Sequence, residues 1–259
     1  MKSPRWPLIG GLVTVVVILA GAFMAWQIVG SPALNRETQR DAYDRPVSRI
    51  VFDHLNSNDI VVHARSGATG VKVERQLRWN GDSPTISETW NGDVLTISVA
   101  CNGWTIGHEC TVDYTVDVAP TVAIEADVSS GDITLDGSTA PVRVHTSSGD
   151  IRIRNVSGDS LDAGTTSGDL TIDGLLTKAL TATTTSGDIA VAYAAAPTTV
   201  VATATSGDVT VTVPRSDMTY KVRLDSTSGD MHSDIGSSDT GAGSISLRTS
   251  SGDVRVRLA

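Results

Sequence analysis

Seven aspartates recur at intervals of 18 to 23 residues in the second half of the sequence, each as the last residue of a Ser-Gly-Asp triplet. Regularly spaced carboxylates could bind calcium, which takes about six to eight oxygen ligands. The chain lacks the Gly-Gly-x-Gly-x-Asp pattern of calcium-binding β-rolls, which supplies further carbonyl ligands. Turn aspartates, in contrast, commonly accept hydrogen bonds from backbone amides. The pattern therefore favours structural turn aspartates over a metal site at Asp132, Asp150, Asp169, Asp188, Asp208, Asp230 and Asp253.

No other group of residues has a spacing typical of catalysis. The five histidines show no metal-binding spacing, and the chain has neither a Gly-x-Ser-x-Gly motif nor a glycine-rich phosphate loop. Most acids outside the turns, such as Asp127, Asp162 and Asp225, are isolated, whereas general acid–base catalysis needs a constellation set apart from the structural repeat. We predict that the protein is not an enzyme, with no catalytic residue, metal or cofactor.

The two cysteines of the chain are Cys101 and Cys110. Asn102, Gly103 and Gly107 allow the segment between them to fold back, and an exported domain would be in an environment that permits disulfides. We predict a structural disulfide, which would contribute about 2–3 kcal/mol for so short a loop.

The triplets define a repeat over residues 121–259. Successive triplet glycines lie 18 to 23 residues apart, and large aliphatic residues stand seven before and two after each glycine. This alternation predicts a strand, a Ser-Gly-Asp turn, a second strand and a looser second turn in each repeat. The glycines supply a backbone conformation that other residues adopt only at a cost. They are Gly131, Gly149, Gly168, Gly187, Gly207, Gly229 and Gly252.

Two all-β architectures satisfy this pattern. In a β-solenoid, equivalent positions of successive repeats stack about 4.8 Å apart in parallel sheets. In an antiparallel meander or sandwich of hairpins, the same turns would join neighbouring strands. The constancy of each position favours the solenoid-like arrangement, and the meander remains the alternative.

The region before the repeats is less regular. Residues 47–120 are predicted to form irregular first coils and a β cap, with Asn58-Asp59-Ile60 and Asn91-Gly92-Asp93 as degenerate turns. The tryptophans in this region are interpreted as cap core. Residues 31–46 are polar and are predicted to be a stalk.

The N-terminus predicts a membrane anchor. Residues 8–30 are almost entirely apolar and are preceded by Lys2 and Arg5. About 20 apolar residues span a bilayer, and basic residues before the span favour a cytoplasmic N-terminus. We therefore expect residues 1–7 in the cytoplasm, a single-pass signal anchor and an extracytoplasmic C-terminal domain. Alternatively, a signal peptide is cleaved near Ala20-Gly21-Ala22 and the protein is secreted.

The net charge of −9 argues against nucleic-acid binding, because acidic surfaces repel phosphates. Arg255 and Arg257 lie in the last predicted strand of the chain. If that strand is the edge of the stack, the C-terminal coil could mediate docking of a partner or self-association.

Two segments carry a resemblance to a known family. Residues 112–120 read Val-Asp-Tyr-Thr-Val-Asp-Val-Ala-Pro, and residues 129–135 read Ser-Ser-Gly-Asp-Ile-Thr-Leu. Together they resemble the DUF4097 family over about residues 47–259. The resemblance implies a bacterial envelope protein of β-strand repeats, adhesin-like and in some members tied to envelope-stress regulation, without catalytic residues.

The expected function is therefore a non-enzymatic binding or scaffolding surface of the cell envelope, whose partner is an envelope protein or a cell-wall polymer. The alternative is an envelope-stress sensor or regulator that works through a membrane partner, because residues 1–7 leave no room for a cytoplasmic signalling domain.

Overall fold

The computed structural model describes residues 34–56, 58–101 and 109–259, and this part of the chain is all-β without a helix. No helix among these residues is long and apolar enough to cross a membrane. The predicted cytoplasmic tail and anchor, residues 1–30, lie outside the described residues.

The strands fall into a cap and a repeat region. The cap strands are β1 (Asn35–Tyr43), β2 (Arg49–Leu55), β3 (Ile60–Ala64), β4 (Val71–Trp79), β5 (Thr85–Asn91), β6 (Val94–Ala100) and β7 (Cys110–Val118). The repeat strands are β8 (Ala123–Ser130), β9 (Ile133–Asp136), β10 (Val142–Ser148), β11 (Ile151–Arg154), β12 (Ser160–Ser167), β13 (Leu170–Leu175), β14 (Ala179–Ser186), β15 (Ile189–Tyr193), β16 (Thr199–Ser206), β17 (Val209–Val213), β18 (Tyr220–Ser228), β19 (Met231–Ser233), β20 (Gly243–Ser251) and β21 (Val254–Leu258).

Each repeat forms one coil, with its first strand in one sheet and its second strand in the other. We name each coil after its triplet glycine. All repeat strands pair in parallel, and equivalent positions face each other, as Ile151 faces Leu170 and Val142 faces Leu161. This is the pairing predicted for a solenoid-like repeat, and the antiparallel alternative is not found among the repeat strands. The inward aliphatic residues of the two sheets form the core between them.

The stacking order departs from the chain order at one end. The Gly252 coil lies between the Gly207 and Gly229 coils, because β20 pairs with β16 and β18 while β21 pairs with β17 and β19. The last two glycine intervals are the longest, at 22 and 23 residues. These added residues allow the chain to pass over one coil position and return, since each extended residue spans about 3.3 Å.

The predicted edge position of Arg255 and Arg257 is therefore wrong. Both residues lie in β21, which has a strand on each side, and the edge coil is the Gly229 coil. The C-terminal coil is thus not available as the end surface that the prediction of self-association assumed.

Residues before the repeats continue the parallel stack by two strand pairs, first β2 with β3 and then β6 with β7, and close it with antiparallel strands. Strands β2 and β3 continue the parallel stack beyond the Gly131 coil, with Asn58-Asp59 at the turn position, as predicted. Strands β1, β4 and β7 pair antiparallel on one sheet, and β5 pairs antiparallel with β6 on the other.

Two expectations about this region are corrected. The stalk predicted over residues 31–46 is instead edge strand β1 over Asn35–Tyr43, whose polar side chains suit an edge exposed to solvent. Gly92 and Asp93 form the tight turn of the β5–β6 hairpin and not a coil turn. Trp79 and Trp90 pack half-buried against the core, in agreement with their predicted role in the cap core.

Candidate functional site

The Ser-Gly-Asp turns form one continuous column along the stack. Each triplet glycine has a φ between +136° and +151°, which L-residues rarely adopt. A Cβ on any of them would lie within 3.0 Å of the carbonyl of the residue at the same turn position in the coil beneath. Glycine is therefore required twice at each turn, for its backbone conformation and for the close approach of the coils.

The turn aspartates form a ladder of hydrogen bonds between coils. The backbone N–H of each aspartate donates to Oδ1 of the aspartate in the coil beneath, at 2.7–2.9 Å. The ladder begins before the repeats, because Asp59 accepts from Asp132 and its own N–H donates to Asp113 at 3.1 Å. At the other end stands Asp230, whose carboxylate accepts no hydrogen bond from a described residue. The ladder shows what the turn carboxylates do in this fold: they join coils.

Inward hydroxyl groups add a second set of contacts between coils. Three residues before the triplet glycine, Thr146, Thr165, Thr184 and Thr249 each donate to the carbonyl of the glycine in the coil beneath, at 3.0–3.3 Å. Ser226 does the same for Gly252 at 2.9 Å. Ala204 occupies this position in the Gly207 coil, so the Gly187 carbonyl lacks this bond.

Two arginines contact neighbouring aspartates of the column. Arg152 lies 2.7 Å from Asp150 and 3.3 Å from Asp132, and Arg255 contacts Asp253 and lies 3.6 Å from Asp208. The pKa of Asp253 is held below its ordinary value, first by the Asp230 N–H and then by Arg255. Arg255 therefore bridges aspartates of two successive coils within the stack.

The described residues contain no group of three or more His, Cys, Asp or Glu side chains placed to hold a metal ion. Two described histidines each lie beside a single carboxylate, His145 near Asp162 at 3.5 Å and His232 near Asp234 at 2.9 Å. Asp162 also pairs with Arg143 at 3.0 Å. Neither histidine is hydrogen-bonded to a nucleophilic side chain, so the described part of the chain presents no catalytic constellation.

The predicted disulfide is present between Cys101 and Cys110, whose Cα atoms are 6.0 Å apart. It links the end of β6 in one sheet to the start of β7 in the other. The loop that it closes, residues 102–108, lies outside the described residues, as does Trp104.

Sequence reasoning missed a buried ionic cluster in the cap. Arg75 has a side chain only 5% exposed, and its guanidinium contacts Asp41 and Glu88, with Nε donating to Glu88 at 2.8 Å. The Tyr43 hydroxyl also donates to Glu88. Because Glu88 belongs to β5 and the other residues to β1 and β4, the cluster joins the two sheets. The inward alternation Val71, Val73, Arg75, Leu77 was a signal in the sequence that could have revealed it.

The environment of this cluster favours its ion pairs. Although burial lowers the pKa of Arg75, its hydrogen bonds to Asp41 and Glu88 raise it above the ordinary value. Burial, and next the hydrogen bond to Glu88, raises the pKa of Tyr43 to about 12. At neutral pH Tyr43 therefore keeps the proton that it donates. Burial also raises the pKa of Tyr114, whose ring packs against Phe52 at 5.9 Å.

A cleft of about 540 Å³ lies at the end of the stack that carries the Gly229 coil. Its walls include Met218, Tyr220, Ile235 and Leu258, and Arg215 and Asp234 also line it. It holds neither a paired carboxylate nor a nucleophile with a base.

The fold and the column of turns together define a class of protein, a stack of parallel β-coils joined by a glycine–aspartate ladder and closed by an antiparallel cap. The sequence profile of the Toastrack DUF4097 family matches residues 47–257, and the chain belongs to that family. This confirms the resemblance seen in the sequence.

Several solved structures are similar to this chain at low sequence identity, and the first of those named here shares its fold. A "putative adhesin" from Bacteroides fragilis is 15% identical with a TM-score of 0.52, over 88% of this chain and 99% of that one. A "putative adhesin" from Parabacteroides distasonis is 10% identical with a TM-score of 0.43, over 87% and 97% of the two chains. A "putative cell adhesion protein" from Clostridium sporogenes is 9% identical with a TM-score of 0.40, over 87% and 100%. No curated protein sequence matches the chain.

Proposed function

We propose that this protein is a non-enzymatic binding or scaffolding protein of the bacterial cell envelope, with a solenoid-like domain outside the membrane and a single-pass anchor at residues 8–30. The observation that carries the proposal is the ladder. The residues of the chain that could do chemistry in a regular array, the turn aspartates, are instead occupied in joining coils.

Family membership and fold support this proposal. Relatives of similar fold carry names that refer to adhesion, and those names do not refer to catalysis. A rigid stack with solvent-exposed sheet faces suits binding, because it presents side chains in fixed rows and loses little conformational entropy on association. The acidic net charge favours protein or uncharged polymer partners over nucleic acid.

A second candidate function is sensing through a membrane partner. Strand β1 begins five residues after the predicted anchor, and its Asp41 and Tyr43 belong to the buried Arg75 cluster. A displacement of the chain near the membrane would therefore alter the contacts of the Arg75 cluster in the cap. Secretion after cleavage near residues 20–22 is the alternative to anchoring.

The test is cross-linking mass spectrometry on intact cells that express the tagged full-length protein. The matched control carries the same tag on residues 1–46 alone, so that contacts of the anchor can be subtracted. We expect links from the β domain to envelope proteins or wall material. Links to a single transmembrane signalling protein would favour the sensor, and links to cytoplasmic proteins alone would contradict both functions. The N-terminal peptide of the mature protein, read in the same experiment, decides between anchoring and cleavage.

A further inference from the structure

On the outer face of the Gly229 coil, the groups that bond to the next coil elsewhere in the stack have no partner among the described residues. In the six other repeat coils, the glycine N–H donates to the serine carbonyl of the next coil at 2.8–3.0 Å. The residue two positions after each of these glycines likewise donates to the carbonyl of the next aspartate at 2.8–2.9 Å. At the Gly229 coil, the N–H groups of Gly229 and Met231, and the Asp230 carboxylate, find no such partner among the described residues.

The apolar side chains of this coil are also left uncovered. Met231 is 54% exposed, whereas Val209 and Val254 at the same position are 0% exposed. Val222 and Leu224 are half-buried, although Ile245 and Leu247 beside them are fully buried. Apolar residues that are buried in every other coil are thus partly in water here, and burying them would be favourable.

The chain covers only part of this edge itself. After β19 it folds back, and the Ser237 hydroxyl bonds both the N–H and the carbonyl of Val222, while the Ser238 N–H donates to the Tyr220 carbonyl. This protects the beginning of β18. From Leu224 through the turn to Met231, no described residue lies in the position of a next coil.

The fold already joins coils that do not follow each other in the chain. The Gly252 coil packs on the Gly207 coil, although the Gly229 coil comes between them in chain order. It makes the contacts of a regular neighbour there, including Asp253 N–H to Asp208 at 2.8 Å and Gly207 N–H to the Ser251 carbonyl at 2.8 Å. The docking of a coil that does not follow directly in the chain is therefore part of how this fold is built.

We infer that the outer face of the Gly229 coil binds a strand–turn–strand segment of a partner protein, which adds in parallel as the next coil. The partner's backbone N–H after the turn glycine donates to Asp230, and its carbonyl before that glycine accepts from the Gly229 N–H. Its inward aliphatic side chains cover Leu224 and Met231. This is strand addition to a sheet edge, applied to both sheets at once. The inference rests on the proposed binding function and assigns its site.

Two features set the chemistry of the partner segment. Its turn residue must be glycine, because in the other coils a Cβ at that position lies within 3.0 Å of the carbonyl beneath. Arg223 is exposed on the outer side of β18 and makes no ion pair with a described residue. At the same position, Arg143 pairs with Asp162 of the next coil at 3.0 Å. We therefore expect an acidic residue six positions before the partner's glycine.

A second copy of this chain does not fit the site. Parallel addition needs a coil whose opposite face is free. In this protein the last parallel strand pair at the opposite end, β6 and β7, is covered by the antiparallel strands β5 and β4. Two Gly229 coils that face each other would have to pair antiparallel. The Asp230 carboxylates could not then continue the ladder.

The test uses the full-length protein in detergent and a labelled peptide with the sequence of residues 122–136. This peptide contains Gly131 and places Glu125 six positions before it, opposite Arg223. We expect binding with a Kd on the order of 100 µM in fluorescence anisotropy, since the peptide must become ordered. Replacing the peptide glycine (Gly131→Val) or introducing Met231→Lys in the protein should each weaken binding at least tenfold.

A charge swap tests the register. Arg223→Glu should weaken binding about threefold to tenfold, and a peptide with Glu125→Arg should restore it; Arg154→Glu, an exposed substitution on an inner coil, should change nothing. Absence of binding, or binding indifferent to the peptide glycine and to the charge swap, would overturn the inference. Self-association of the protein that Met231→Lys abolishes would overturn it in favour of a second copy. Cellular cross-links to envelope partners on other faces, without peptide binding, would overturn this inference alone and leave the proposed function standing.

Discussion

The repeat stack and the cap are held together by different kinds of contact. In the stack, the same hydrogen bonds between successive coils recur along the column of turns, and the residues that form them are mainly glycine, aspartate and threonine. In the cap, each contact occurs once: the Arg75 cluster, the Tyr43–Trp90 edge contact at 5.4 Å and the disulfide. The stack stays stable when one copy of a repeated contact is weakened, whereas the cap loses much more stability when the buried ion pair of the Arg75 cluster is broken.

The stack and the cap also differ in the kind of end that each gives the molecule. The stack extends by adding equivalent coils and ends on an open face, while the cap stops extension at the other end with antiparallel strands and a polar edge strand. Closing the stack with antiparallel strands and a polar edge strand disfavours pairing of this edge with another chain. The two ends of one molecule therefore present opposite surfaces, one closed and one able to accept a further coil.

The largest effect is expected in the cap. Arg75→Met leaves Glu88, whose side chain is 10% exposed, without its cation. Breaking a buried pair from one side costs about 3–5 kcal/mol. The midpoint of urea denaturation followed by tryptophan fluorescence should fall accordingly, since Trp79 and Trp90 report on this region. The control is Arg78→Met on the same strand, where the pair with Asp113 is 43% exposed at the arginine and should contribute less than about 1 kcal/mol. Equal losses in both variants would contradict a special role of the cluster.

The next effect is expected in the stack. Gly168→Ala places a side chain at φ +145° and against the Gly149 carbonyl. Strain of this kind costs about 2–4 kcal/mol when the neighbouring coil must shift. Circular dichroism during thermal unfolding would show a lowered Tm. Gly236→Ala is the matched control, because nothing lies within 4 Å of its added Cβ. An unchanged Tm for Gly168→Ala would refute the close stacking of the turns.

A smaller effect distinguishes hydrogen bonding from charge in the ladder. Asp188→Ala removes the acceptor of the Asp208 N–H, a bond of 2.8 Å, and should cost about 1 kcal/mol. Asp188→Asn keeps an oxygen acceptor and should retain most of that stability. Both variants are compared by urea denaturation with and without calcium. A loss in Asp188→Asn as large as in Asp188→Ala, together with a calcium effect in the unmodified protein alone, would assign the column to metal binding.

The smallest effect is a gain. Ala204→Thr supplies the hydroxyl that the Gly187 carbonyl lacks, at a position where Thr184 lies beside it in register. One added hydrogen bond should stabilise the stack by about 0.5–1 kcal/mol. Ala204→Val has nearly the same shape without the hydroxyl and should give no such gain. If valine stabilises as much as threonine, the hydroxyl contacts do not contribute.

The repeat could be predicted well from the sequence because each position of the repeat requires a particular type of residue. Glycine and aspartate at fixed intervals, with aliphatic residues at inward positions, allowed the turns and the inward faces to be assigned residue by residue. The order of stacking could not be predicted, because the Gly252 coil has the same pattern as its neighbours and would fit either position. Only the length of the connections at residues 214–219 and 234–242 hinted at a crossing.

The cap was predicted less well, for a physical reason. Its contacts join residues far apart in the chain, such as Asp41, Arg75 and Glu88, and no repeat compares them with equivalent positions. Residues 31–46 read as a stalk because the strand they contain is polar on both faces. A polar edge strand and a polar linker have similar compositions, so the hydrophobic pattern does not separate them.

The most direct test of the stacking order and its open end is amide hydrogen exchange of the full-length protein, read at single residues along the column of turns. We predict slow exchange at Gly207, Gly252 and Val254, whose N–H groups donate to a neighbouring coil, and fast exchange at Gly229 and Met231. Fast exchange at Gly252 and Val254 with protection at Gly229 would contradict it, since the C-terminal coil would then be the open end of the stack.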